Sequence, residues 1–184
     1  MKILKKKISD REFKTMQVLM RIADKIHPHT TEVAESFGIE KGMTVVDYGC
    51  GPGRYTLEFS RLAGPEGRVI AVDLIGIALR ETEKRLKDSG ISGIELLLAQ
   101  GYDSGIESET ADMVCAVDMF HHVDSDPFLK EVFRITKPEG LLIISGGHQT
   151  RSIIKKAVMA SGLWDIVDET KMYLKYKKTE QEIS

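Results

Sequence analysis

The sequence predicts an α/β protein with a doubly wound, mostly parallel seven-stranded sheet, helices on both faces and a C-terminal antiparallel strand. Three observations carry this. Short β-branched and apolar runs alternate with amphipathic segments of roughly 10–15 residues. A glycine-rich turn follows the first such run, at Gly49-Cys50-Gly51-Pro52-Gly53. The last two apolar runs, Trp164–Asp168 and Met172–Tyr176, have no helix-length segment between them, so one of them should be antiparallel near the sheet edge. The alternation implies right-handed crossovers, and such sheets bind ligands beyond the carboxyl ends of their strands.

The elements follow in order. Ser9-Asp10-Arg11-Glu12 fits a capping box, and Phe13, Met16, Leu19, Met20, Ile22, Ala23 and Ile26 then recur at helical spacing until Pro28. A short helix about Thr31 to Phe37 ends at Gly38. Thr44–Tyr48 is a buried strand, and Arg54–Ala63 a helix closed by Gly64-Pro65. Arg68–Asp73 is a second strand. Gly76–Asp88 is a helix with Leu79, Thr82 and Leu86 on one face. Glu95–Ala99 and Asp112–Val117 are strands, and Pro127–Ile135 a helix halted by Lys137-Pro138-Glu139-Gly140. Leu141–Ser145 is the fifth strand, and Thr150–Ser161 a helix ended by Gly162.

Composition narrows the function. At 184 residues the chain predicts one domain, 1–184, with an N-terminal helical lid (1–39) on a core (40–184). Lys and Arg number 26 against 28 Asp and Glu, a net charge of −2, which argues against a protein built to neutralise DNA or RNA phosphates. At 42 % apolar and 29 % charged residues, disorder is not expected. No apolar run reaches the roughly 18–20 residues of a membrane span, and no secretory core follows Lys5-Lys6-Lys7. Two cysteines, Cys50 and Cys115, are too few for a disulfide framework. A cytoplasmic location is expected.

The glycine turn carries the chemistry. Glycines at alternate positions let a ligand approach the main chain where a Cβ would block it. The turn opens a helix, whose free N–H groups face the ligand. The spacing departs from the dinucleotide fingerprint, in which the third glycine lies three residues after the second. Asp47 sits two residues before the first glycine, and Asp73 ends the second strand, where a carboxylate can accept hydrogen bonds from ribose hydroxyls. With no Lys after the turn, the pattern calls for a nucleoside-like ligand rather than a phosphate.

The segments Val45–Thr56, Val69–Asp73, Ala111–Val123 and Phe133–Ser145 together resemble the successive motifs of the class I S-adenosylmethionine-dependent methyltransferases, from about Glu40 to Ser145. The resemblance implies a Rossmann-like methyltransferase fold, S-adenosyl-L-methionine as cofactor and S-adenosyl-L-homocysteine as product. It implies that Gly49, Cys50, Gly51 and Gly53 line the methionine and ribose parts, and that Asp47 acts near the cationic amino group. Asp73 would hold the ribose and Leu74 would pack on adenine. Tyr102 or Asp103 would reach the adenine edge, and Asp118 would lie near the methionine moiety.

The cofactor carries an activated methyl group, so the protein must align an acceptor and exclude water. The Asn/Asp-Pro-Pro-Tyr/Phe motif of base and glutamine methylation is missing. Asp118-Met119-Phe120-His121-His122 is closer to the branch acting on small molecules, which is the expected acceptor class. His121 is the preferred base candidate. His122, His148, His27 and His29 should lie near the same rim, as framework or acceptor contacts, and spacing completes no metal ligand set. A shallow acceptor pocket leads to the expectation of a homodimer. The rivals are a non-catalytic cofactor-binding regulatory subunit, a protein or RNA methyltransferase, and a nicotinamide oxidoreductase.

Overall fold

In a computed structural model of the chain, residues 29–146 and 149–179 are described. The predicted helix after Ser9, His27 and His148 lie outside them. Each short apolar run becomes a strand: β1 (Thr44–Tyr48), β2 (Arg68–Asp73), β3 (Glu95–Leu98), β4 (Ala111–Val117), β5 (Thr136–Ser145), β6 (Trp164–Glu169) and β7 (Leu174–Lys178). The helices are α1 (His29–Ser36), α2 (Arg54–Ala63), α3 (Gly76–Asp88), α4 (Ser125–Ile135) and α5 (Arg151–Ala160).

The strands form one sheet in the order β3-β2-β1-β4-β5-β7-β6. The pairs from β3 to β5 are parallel, while β7 runs antiparallel to both β5 and β6. The antiparallel strand is therefore inserted inside the sheet, and β6 forms the outer edge.

Alternation along the strands builds a core on each face. Val46, Ile70, Val114, Leu142 and Ile144 face one way, beneath Phe128, Leu129 and Val132 of α4 and Ile154 and Val158 of α5. Val45, Val69, Met113 and Ile143 face the other way, against Val33 and Ala34 of α1 and Phe59 and Ala63 of α2. Leu79 of α3 packs beside them on Ala71 and Cys50. The Tyr173 hydroxyl donates to the Ser36 carbonyl at 2.8 Å, tying α1 to the start of β7.

Several boundaries differ from the sequence reading, and three of them have a clear local reason. α4 starts at Ser125, because Pro127 falls in the first turn, where its missing N–H has no partner to lose. β5 starts at Thr136 and runs through Lys137-Pro138-Glu139-Gly140, with a register shift opposite Ala111 and Met113. Gly140 permits this, since a Cβ there would lie 2.8 Å from the Ala111 carbonyl oxygen. β7 starts at Leu174 rather than Met172, because the Thr170 hydroxyl accepts both the Met172 and Tyr173 N–H groups at 3.1 Å.

Candidate functional site

The ends of β1, β2 and β4 meet at one rim of the sheet. After Tyr48 the chain turns over β2: the Gly49 and Cys50 N–H groups both donate to the Val72 carbonyl, at 2.8 and 3.0 Å. Gly49, Gly51 and Gly53 all take positive φ, at 79°, 53° and 73°.

The glycines differ in what surrounds them. A Cβ on Gly53 would lie 2.7 Å from Thr82 Cγ2, so this residue lets α3 pack against the turn. A Cβ on Gly49 would lie 3.0 Å from the Met119 side chain, which brings the segment after β4 against the turn. A Cβ on Gly51 would meet nothing within 4 Å, and that open space is where a ligand can approach main chain.

Gly51 is pinned from both ends. Its N–H donates to Asp73 Oδ2 at 2.9 Å, and its carbonyl accepts from the Thr82 hydroxyl at 2.9 Å. Asp73 Oδ1 accepts the Ile75 N–H at 2.8 Å. The Leu74 N–H bonds the same carboxylate, which keeps acceptor capacity beyond these three bonds. Burial raises the Asp73 pKa, and the main-chain N–H bonds oppose that rise. α2 then opens at Gly53, which has no side chain to cap it, and the Asp47 carboxylate takes the Thr56 N–H of its first turn.

Asp47 is 2 % exposed and accepts from the Thr56 hydroxyl at 2.5 Å. Burial pushes its carboxyl up to about 7, against the Thr56 bond, and the like charge of Asp73 adds to the rise. A carboxylate in that position is suited to a cationic group brought beside it.

The other sequence-predicted residues are placed as follows. The Cys50 side chain is buried against Ala71 and Leu79, so only its main chain is offered to the turn. Leu74 is half-buried beside the core of the α4 face. The Tyr102 hydroxyl accepts the Asp124 N–H at 2.7 Å, and its carbonyl accepts the Tyr48 hydroxyl at 3.0 Å. Tyr102 thus braces the start of α4. Asp103 is exposed, and its carboxylate accepts the Gly105 N–H at 2.9 Å in a local turn.

Asp118 is exposed, with its backbone in the left-handed region at φ 54°, and its N–H donates to the Ser145 carbonyl at 3.3 Å. A 3₁₀ turn over Phe120–His122 follows. His121 is half-buried, and its ring centroid lies 3.8 Å from that of exposed His122. Among the described residues no group of three or more His, Cys, Asp or Glu side chains is placed to hold a metal ion.

Sequence reasoning did not single out Thr56 or Met119 as site residues, and read Thr82 only as core. Thr56 shows itself solely through the fold, which brings its hydroxyl to the buried Asp47.

The chain matches the methyltransferase-domain family over residues 46–144, more than half of its 184 residues. It is similar to the ubiquinone/menaquinone biosynthesis C-methyltransferase UbiE of Pasteurella multocida, at 32 % identity over 109 residues, 58 % of this chain and 41 % of that protein. It is similar also to the demethylmenaquinone methyltransferase of Lactococcus lactis, at 31 % identity over 118 residues, 63 % of this chain and 47 % of that protein. The chain thus spans less than half the length of these curated relatives.

Among solved structures it is similar to a Methanococcus maripaludis protein described as an S-adenosyl-L-methionine-dependent methyltransferase. The TM-score is 0.81 at 19 % identity, over 98 % of both chains. A SAM-dependent methyltransferase of Aquifex aeolicus gives a TM-score of 0.68 at 22 % identity, over 80 % of this chain and 87 % of that one. At such identities the likeness is one of fold.

The matched range begins inside β1 and ends inside β5, and so takes in the turn, Asp73 and the segment after β4. The open ground over Gly51, beside the half-buried Asp73 and the buried Asp47, fits the cofactor that this family uses, S-adenosyl-L-methionine. The chain belongs to the methyltransferase-domain family, among the class I S-adenosyl-L-methionine-dependent methyltransferases.

Proposed function

We propose that the chain transfers a methyl group from S-adenosyl-L-methionine, by in-line displacement, to a small-molecule acceptor that enters past the end of β4. The observation that carries this is the pinned, uncovered main chain at Gly51, held by Asp73 and Thr82. When bound, the cofactor supplies a methyl group already activated by its positive sulfur.

The chain's own residues do the rest. Gly49, Gly51 and Gly53 present main chain to the ligand, with the Cys50 main chain between them. Asp73 accepts from ribose hydroxyls at its spare sites, and Leu74 offers an apolar face to adenine. Asp103, or the main chain beside Tyr102, meets the adenine edge. Asp47 draws the amino group, with Thr56 orienting its carboxylate. Asp118 stands near the transfer point. His121, two residues beyond the Met119 side chain that touches the turn, takes the acceptor's proton where the acceptor arrives protonated.

The reading keeps an N-terminal helical lid (1–39) on a core of 40–184 as part of the proposal, and of that lid only residues 29–39 are described. The reading includes a cytoplasmic location, a homodimer and no DNA partner. Among the described residues no helix is long and apolar enough to cross a membrane.

The test has two stages. Calorimetry should show S-adenosyl-L-homocysteine binding and NAD failing to bind. A labelled-methyl assay over thiols, phenols and quinones should then show turnover. NAD binding in place of the homocysteine compound would replace this reading with a nicotinamide enzyme. Cofactor binding with no acceptor consumed across the panel would replace it with a regulatory subunit.

A further inference from the structure

β5 ends at Ser145, and the Gln149 N–H donates to the Gly146 carbonyl at 2.7 Å. A Cβ at Gly146 would lie 2.6 Å from the Gln149 carbonyl oxygen, so this close approach demands glycine. The first turn of α5 follows, and opposite it stands the connection between β6 and β7. Between the two opens a cavity of about 830 Å³. It belongs to the same rim as the glycine turn, because the start of β7 pairs with the end of β5, Leu174 against Ile144.

The cavity lies on the β5 side of the glycine turn, past the end of β4. Ser145 pairs with Val117, and its carbonyl takes the Asp118 N–H. At about 4.8 Å per strand, the β6–β7 connection that walls the cavity stands roughly 14–19 Å from the end of β1, beyond β4 and β5. That is the span of an extended small molecule reaching across the ends of β4 and β5.

Its charge is one-sided. Arg151, Lys155 and Lys171 line it against a single carboxylate, Glu169. Lys155 Nζ lies 2.7 Å from Glu169 Oε2 and holds that carboxyl below its usual range, so the two charges answer each other. Arg151 and Lys171 remain in excess. Arg151 donates from Nη1 to the Thr170 carbonyl, which sets the guanidinium against the β6–β7 connection with further N–H donors to spare. α5 opens at Thr150 with no side-chain cap, and its first turn lines the cavity.

Two further features describe the ligand. Gln149 Oε1 is shielded from solvent and has no hydrogen-bond partner among the described residues, so a donor beside the anion would complete it. Met172, 49 % exposed, supplies an apolar wall. All these residues lie beyond residue 144, where the family match ends.

We propose that this cavity is an oxyanion subsite for the methyl acceptor. The acceptor is a small acid whose carboxylate or phosphate is held by Arg151, Lys171 and the first turn of α5, with an O–H or N–H group directed at Gln149. This rests on the methyltransferase reading above.

The test uses the full chain saturated with S-adenosyl-L-homocysteine, with the Met172 methyl NMR signal as a local readout. The probes are 4-hydroxybenzoate, its neutral amide and inorganic phosphate. At least one anion should shift Met172, with on the order of tenfold higher affinity than the amide, and the preferred anion distinguishes carboxylate from phosphate. Lys171→Glu, at an exposed position, should lower that affinity on the order of tenfold while homocysteine-compound affinity stays unchanged.

Equal binding of acid and amide would overturn the proposal, as would a silent Met172 with both anions, or wild-type anion affinity in Lys171→Glu. A chain that binds the anions but not S-adenosyl-L-homocysteine would keep an anion cavity and remove its role in methyl transfer.

Discussion

Asp47 carries a carboxylate almost wholly out of water, with the Thr56 hydroxyl against one of its oxygens. Its pKa of about 7 against an ordinary 3.8 has two consequences. Between those values the folded state keeps a proton that the unfolded chain has released. Stability therefore falls as pH rises through that window, and the full cost is present above it. A cationic amino group beside Asp47 favours the ionised form, so cofactor affinity should rise from about pH 6 to about pH 8. Calorimetric titration with S-adenosyl-L-homocysteine across that range checks this, and Asp47→Asn should flatten the profile. Asp73→Ala should weaken the same binding by about 1–3 kcal/mol, since it removes an acceptor from the ribose and from Gly51. Wild-type affinity there would end the ribose assignment. His121→Ala should lower turnover in the methyl assay more than cofactor affinity, and unchanged turnover would return the residue to the framework. The two aspartates were legible because their positions relative to a strand end and a glycine turn declare them. Thr56 and Met119 were not, because their roles depend on which atoms they meet across the turn.

At the scale of the element, the turn between β1 and α2 is shaped by three glycines with separate duties. Gly51→Ala meets no atom in the folded chain, so the expected cost to stability is only about 1–2 kcal/mol for the left-handed backbone. On the proposed cofactor site the new Cβ would stand in the ligand's path, and cofactor affinity should fall on the order of tenfold or more. Gly53→Ala drives a Cβ into Thr82 and should instead lower the melting temperature strongly. Thermal melts and cofactor titrations of the two variants separate the duties. Helix and strand limits followed the apolar period wherever it was unbroken, as in Arg54–Ala63 and Gly76–Asp88. They shifted where a single residue took over main-chain partners. Thr170 delays β7 in this way, and Gly140 lets β5 continue through a stretch that reads as a turn.

For the whole molecule, the decisive event is the insertion of β7 between β5 and β6. It places Tyr176 in the α4 face of the core, fully buried, where its hydroxyl has no hydrogen-bond partner among the described residues. Tyr176→Phe should therefore raise stability by about 1 kcal/mol, visible as a higher thermal midpoint, and a lower midpoint would show a partner for the hydroxyl. The same insertion turns the β6–β7 connection toward the functional rim and so creates the Arg151–Lys171 cavity. The amino-acid order by itself determined the alternation of strands and helices, the glycine turn and the two carboxylates flanking it, because each depends on period and spacing within a short stretch. The order of the strands, the partners of Gly51 and the basic cavity were decided only by tertiary structure. They join residues far apart in the chain, such as Gly51 with Asp73 and Gln149 with Lys171, and local periodicity carries no information about which distant surfaces pack together.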